Sequence, residues 1–240
     1  MKKVIFICMI STIIGCQTIL IKLIAKKTVD KQVRVLENKI KESTIVFLPV
    51  IHVGKRSYFK SFKPIVDSLR KEGYQVFVET IAYKEELNPK IKERYDKKFR
   101  KFTGFSTTLS NENNSLPKEY RLKNYILQDY NLMGISKQKG DSVLDLSKKQ
   151  LIDMYEKEFG EIKLTKCDSI TPLYEKYKCE SEYKKYRYTI TNTYRDNYIR
   201  NYLVNTSHKK IALIYGQSHW ISVYPRFTIK HGYSLVKGKP

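Results

Sequence analysis

Two stretches of this chain are apolar almost without interruption, and they constrain its fold more than any other feature. Residues 43–51 read Ser-Thr-Ile-Val-Phe-Leu-Pro-Val-Ile, and residues 211–215 read Ile-Ala-Leu-Ile-Tyr. A strand with one wet face alternates apolar and polar side chains. A strand that does not alternate must be covered on both faces, as in a parallel sheet between two layers of helix. Tyr74-Gln75-Val76-Phe77-Val78-Glu79-Thr80 reads as a further buried strand. Between it and the first, residues 57–71 carry Phe59, Phe62, Ile65, Val66 and Leu69 on one helical stripe, with Pro64 blurring the start and Gly73 supplying the stop. Residues 43–80 are therefore expected to form a strand-helix-strand unit with a right-handed crossover and parallel strands. The expected fold class is α/β: strand-helix-strand units in a mixed, mainly parallel sheet, with a largely helical middle insertion.

The remaining segments are less uniform. Residues 28–41 space Val29, Val33, Leu36 and Ile40 at near-helical intervals, which suggests an amphipathic helix or stalk and makes 28–42 a linker. Residues 83–102 are charged and expected to be helical, 110–115 read as a polar loop, and the rest of 103–146 shows no usable periodicity. A helix is expected from Ser147 to Phe159, closed by Gly160, with irregular chain around Pro172. Tyr-rich residues 180–205 suggest one long helix, Trp220 to Ile229 a short one, and Tyr233 to Val236 a last strand. The globular domain is thus expected over 43–240, and a 240-residue chain is long enough for a substantial core.

The first 27 residues read as a membrane anchor. Met1-Lys2-Lys3 is a positive start and residues 4–14 form an apolar run of signal-peptide length. Ile13-Ile14-Gly15-Cys16 resembles a bacterial lipobox, which would make Cys16 the acylated residue. The other reading is an uncleaved helix over 4–24, long enough to span a bilayer if Lys22 snorkels. Both place the chain in a bacterial cell envelope. With Cys8 in the leader and Cys16 as the lipid site, Cys167 and Cys179 are the only cysteines left for the folded body, and export favours a disulfide between them. The 46 Lys plus Arg against 24 Asp plus Glu give +22. No zinc knuckle, aromatic RNA-binding signature or glycine-rich phosphate loop accompanies that charge. Attraction to anionic lipid is the expected use, and nucleic acid is not an expected partner.

In open parallel sheets, ligands bind at the carboxyl ends of the strands. His52 follows the first strand, Glu79 ends the second, and His219 follows the strand at 211–215. Two imidazoles and a carboxylate at one edge can bind a divalent metal with positions open to water, or act without metal as general base and orienting acid. Arg195 or Arg200, on the preceding helix, could stabilise an oxyanion or clamp an anionic group of the substrate.

The order apolar strand, His52, helix, strand ending in Glu79, Arg195-Asp196-Asn197, strand and Gly216-Gln217-Ser218-His219 resembles the TraB/PrgY/GumN group, related to the TIKI proteases and more distantly to erythromycin esterases and ChaN. The likeness covers about residues 43–236, and Gly216 to His219 match its closing Gly-X-X-His. Two positions depart from it. Pro49 stands where the first Gly-X-X-His has Gly, and the Arg-Asn pair corresponds to Arg195-Asp196 or to Arg200-Asn201, Arg195 being preferred for its spacing. The resemblance implies a membrane-anchored hydrolase cutting a peptide or ester bond, with His52, Glu79, His219 and Arg195 as catalytic residues. It also implies His52, Glu79 and His219 as ligands of a divalent metal, manganese, cobalt or zinc, and a peptide or small molecule as substrate. The alternative it carries is a non-enzymatic binder of a peptide signal, a haem-like ligand or a metal in the same cleft.

Overall fold

The computed structural model describes residues 28–104, 124–175 and 177–240. The anchor over 1–27 with Cys8 and Cys16, and the loop at 110–115, lie outside the described residues. Among the described residues no helix is long and apolar enough to cross a membrane.

Eight strands are present among these residues: β1 (Arg34–Asn38), β2 (Ser43–Val50), β3 (Val53–Lys55), β4 (Gln75–Val78), β5 (Tyr125–Leu127), β6 (Ser142–Val143), β7 (Lys210–Gly216) and β8 (Ser234–Lys237). Six form one sheet in the order β6-β4-β7-β2-β1-β8, and β3 pairs with β5 in a separate ribbon. β6, β4, β7 and β2 run parallel, while β1 is antiparallel to both β2 and β8. The protein is therefore α/β with a mixed, mainly parallel sheet. The strands flanking the first crossover are parallel, as expected, but β7 lies between them. Its register sets Thr44 opposite Lys210 and Val50 opposite Gly216, so β2 and β7 finish level.

The helices are α1 (Arg56–Lys60), α2 (Phe62–Lys71), α3 (Pro89–Thr103), α4 (Lys148–Phe159), α5 (Lys166–Ile170), α6 (Tyr194–Asn205) and α7 (Gln217–Lys230). Side chains of alternate parity leave the central strands on opposite faces. Val46, Leu48, Val50, Val76, Val78, Ala212 and Ile214 pack with Tyr58, Phe59, Phe62 and Val66 of α1 and α2. Ile45, Phe47, Phe77, Ile211, Leu213 and Tyr215 pack with Ile199, Leu203, Trp220, Val223 and Phe227 of α6 and α7. Covering both faces is what the unbroken apolar runs required. Each fully buried aliphatic or Phe side chain contributes roughly 1.5–3 kcal/mol. Pro49 is tolerated inside β2 because pairing with β1 stops at Phe47, and the Pro49 carbonyl accepts from the Tyr58 hydroxyl at 2.8 Å.

Four expectations need correction. Residues 28–42 are not a helical stalk: after a 3₁₀ turn (Val29–Gln32) they form β1, in the sheet. Leu36 is fully buried, and Asn38 bonds the His231 carbonyl at 2.6 Å and accepts from the Lys41 amide at 2.9 Å in the hairpin turn. Helical spacing in so short a segment coincided with strand alternation. The helix over 57–71 is two helices meeting at Ser61. The charged helix begins only at Pro89, where the Asn88 side chain caps it. Residues 180–205 are not one regular helix: a 3₁₀ turn (Glu182–Tyr186) and a π turn (Thr189–Thr193) precede α6.

The middle of the chain builds a smaller core from α3, α4 and the segment leading to α6, with Phe99, Phe102, Leu151, Ile152, Tyr155 and Ile190 buried together. The capping box at Ser147 and Gln150 starts α4 where the sequence placed it. Lys98, Arg100 and Lys101 in the second half of α3 are buried, whereas Lys90, Lys92 and Arg94 in its first half are exposed. Lys98 pairs with Glu156 at 2.5 Å, Lys101 with Asp168 at 2.6 Å, and Arg100 donates to the Pro172 and Thr171 carbonyls at 2.7 and 2.9 Å. Cys167 and Cys179 are joined in a disulfide across this region.

Candidate active site

Glu79 is the centre of the site. It follows β4 with the parity of Phe77, so its side chain turns toward the α6 and α7 layer. Its backbone is tied on both sides: its amide donates to the Ile214 carbonyl at 3.1 Å, and its carbonyl accepts from the Tyr130 hydroxyl. Only 5% of Glu79 is exposed. A carboxylate so placed must be neutralised or protonated.

Three donors keep it ionised. Arg195 Nη2 donates to Oε1 at 2.7 Å, His219 Nε2 to the same oxygen at 3.2 Å, and the Gly216 amide to Oε2 at 2.5 Å. Burial alone would raise the Glu79 pKa. The His219 hydrogen bond and the Arg195 and His219 charges outweigh it and hold the group well below the ordinary carboxylate range. The approach is close, and a Cβ on Gly216 would lie 3.2 Å from Glu79 Oε2, a tight contact.

Each donor is braced in turn. Arg195 lies in the first turn of α6, and its guanidinium forks onto Asp145 at 2.9 and 2.6 Å. Its remaining nitrogen donates to the Thr191 carbonyl in the π turn at 2.8 Å. Short π segments recur where a helix must aim a functional side chain. The Asp145 and Glu79 bonds overcome burial and raise the Arg195 pKa, while burial pushes Asp145 itself upward. His219, in the first turn of α7, meets Asp196 Oδ1 through Nδ1 at 2.5 Å. Burial works against its charge, yet the bonds to Asp196 and Glu79 raise its pKa to about 9. His219 is therefore an imidazolium at neutral pH, donating from both nitrogens.

His52 stands apart in character. Its side chain is 67% exposed, with Nε2 at 3.9 Å from Glu79 Oε1 and Nδ1 at 3.0 Å from Gln128 Oε1. An open cavity of about 510 Å³ begins one residue past Glu79, with Thr80, Tyr83, Lys84, Lys137 and Ser142 in its wall. The structure thus brings His52, Glu79, His219 and Arg195 to one sheet edge. Arg200 is turned away, donating to Ser222 Oγ at 2.6 Å and to Asn197. Sequence reasoning gave no role to Asp145 or Gln128, which lie in the stretch without periodicity, and did not single out Asp196 as a partner for His219. The one legible hint was that Asp145 closely follows the apolar pair Val143-Leu144, as Glu79 follows Phe77-Val78.

A divalent ion held by His52, Glu79 and His219 needs a lone pair from each. The residues as arranged do not fit one. Both His219 nitrogens already face carboxylates, Asp196 at 2.5 Å and Glu79 at 3.2 Å, and both Glu79 oxygens accept from N–H donors of Arg195, His219 and Gly216. Among the described residues, no three His, Cys, Asp or Glu side chains stand as a group that could hold a metal. The arrangement can instead present one accessible imidazole beside a carboxylate whose donors favour its ionised form. Comparison with family models, with curated proteins and with solved structures finds no match to this chain.

Proposed function

We propose that the chain is an envelope-tethered hydrolase of TraB/TIKI type that cuts an ester or peptide bond without a metal, using His52 as general base. The observation that supports it is the contrast within one cluster: a braced Arg195–Glu79–His219 core, and a single exposed imidazole 3.9 Å from its carboxylate. Water in front of Glu79 gives a proton to His52 Nε2 as its oxygen bonds to the substrate carbonyl carbon. The imidazolium so formed is stabilised by Glu79, whose charge is kept available by Arg195 and His219. The proton then passes to the leaving alcohol or amine as its bond to carbon breaks. Residues 1–27 tether the domain, and the substrate is a peptide or small molecule that reaches the exposed edge.

The test is hydrolysis of a panel of p-nitrophenyl esters and a peptide library by the purified chain. Activity should persist in excess EDTA and fall at least about a hundredfold in His52→Ala. Full activity in His52→Ala would end the assignment. Activity appearing only with added manganese, cobalt or zinc would return the metal to the mechanism, and tight stoichiometric binding with no turnover would favour the non-enzymatic binder.

A further inference from the structure

The ribbon of β3 and β5 lies outside the main sheet, and its register has a specific consequence. Val53 faces Leu127, Gly54 faces Ile126 and Lys55 faces Tyr125, so the next residue outward on each strand is His52 on one and Gln128 on the other. Gln128 holds His52 twice. Its backbone N–H donates to the His52 carbonyl at 2.8 Å, and its side-chain Oε1 lies 3.0 Å from His52 Nδ1. The ribbon is seated firmly on the core, since a Cβ on Gly54 would come 2.9 Å from Ile51 Cδ1 and 3.5 Å from the Phe59 ring. The clamp is therefore built into packed structure.

We infer that Gln128 is the positioning residue of the site, fixing His52 in the tautomer that carries its proton on Nδ1 and leaves the Nε2 lone pair facing the space before Glu79. The inference rests on the reading of His52 as general base. An imidazole can accept a proton only at the nitrogen that lacks one, and the partner of the other nitrogen decides which that is. A carboxyl-amide oxygen can only accept, so His52 Nδ1 must be the donor. An amide also does this without adding a second anion, leaving Glu79 as the charged group that meets the imidazolium.

Nitrogen NMR of the ¹⁵N-histidine-labelled full chain reads the tautomer without any substrate. The chain has four histidines, and His52 is assigned by the signal lost in His52→Ala. In its neutral form, His52 should show a protonated Nδ1 and a bare Nε2. Gln128→Leu should move it toward the Nε2-protonated form, and Gln128→Glu, which keeps an acceptor, should hold the original one. With p-nitrophenyl acetate as probe, Gln128→Leu should lower kcat about tenfold with KM little changed, and Gln128→Glu should restore most of the loss. An Nε2-protonated His52 in the unmodified chain would overturn the inference, because the Gln128 amide would then present its nitrogen. So would a tautomer that ignores Gln128→Leu. If the tautomer behaves as expected while His52→Ala remains fully active, the positioning role stands and the hydrolase reading falls.

Discussion

His219 sits between Glu79 and Asp196 with 2% of its surface exposed, and this gives the molecule a pH signature. Its folded pKa of about 9 lies above the ordinary 6.5. The stabilisation is therefore complete below about pH 6.5 and is lost as pH rises through 9. The shift corresponds to about 3 kcal/mol, and the lowered Glu79 pKa reports partly the same contact from its other end, so the two are not added. Urea midpoints should fall between pH 6.5 and 9.5 in the unmodified chain, and His219→Gln should remove most of that slope. An equal slope in both would mean the charge on His219 does not stabilise the fold. Backbone strain gives no reason for a glycine at 216, whose φ is −57°; the feature that favours one is the tight 3.2 Å contact a Cβ would make with Glu79 Oε2.

The elements divide by how their burial is written into the sequence. β2, β4 and β7 were legible because covering both faces leaves no place for polar alternation, and α4 because its cap, stripe and closing Gly160 agree. β1 was not. Its buried positions include Asn38, whose partners come from residues 231 and 41, and no local pattern announces them. In α3 no local pattern marks Lys98, Arg100 and Lys101 as buried, because Glu156, Asp168 and the Pro172 carbonyl that cover them come from distant segments. The site split the same way. Strand ends delivered His52, Glu79 and His219, whereas Asp145 and Gln128 follow the short β6 and β5, which are too brief for periodicity. The place of β1 is testable by contrast. Leu36→Ala should destabilise the chain by about 2–5 kcal/mol, and Ile40→Ala, 95% exposed in the hairpin turn, by less than about 0.5 kcal/mol. In a helical linker outside the domain the two would be alike, and equal urea midpoints would remove β1 from the sheet.

At the scale of the whole molecule, two bodies of packing meet at the site: the helix-covered sheet supplies His52, Glu79 and His219, while the middle core leads through the π turn into Arg195. The disulfide belongs to the second body. Between Cys167 and Cys179 the chain carries the fully buried Asp168, which accepts from Lys101 at 2.6 Å and from the Tyr177 hydroxyl at 2.7 Å, together with the carbonyls that accept from the two terminal nitrogens of Arg100. Held by its bonds from Lys101, Tyr177 and Thr165 against the opposing effect of burial, Asp168 has a pKa lowered to about 2. Closing a loop of this size contributes about 3 kcal/mol by restricting the unfolded chain. Here it also keeps three buried charges covered. Replacing both cysteines by serine, or reducing the protein, should therefore lower the unfolding free energy by about 2–4 kcal/mol and increase proteolysis first within residues 165–180. The His52 tautomer should be unchanged, because Ile51 and Ile126, which flank His52 and Gln128 along the chain, pack on the other core. A reduced protein as stable as the oxidised one would mean the bridge is incidental to the fold. Loss of the tautomer together with the bridge would mean the two bodies are coupled through Arg195, and the site could then form only where the disulfide does. Disulfides persist in oxidising compartments, so that outcome would tie activity to delivery of the chain outside the cytoplasm.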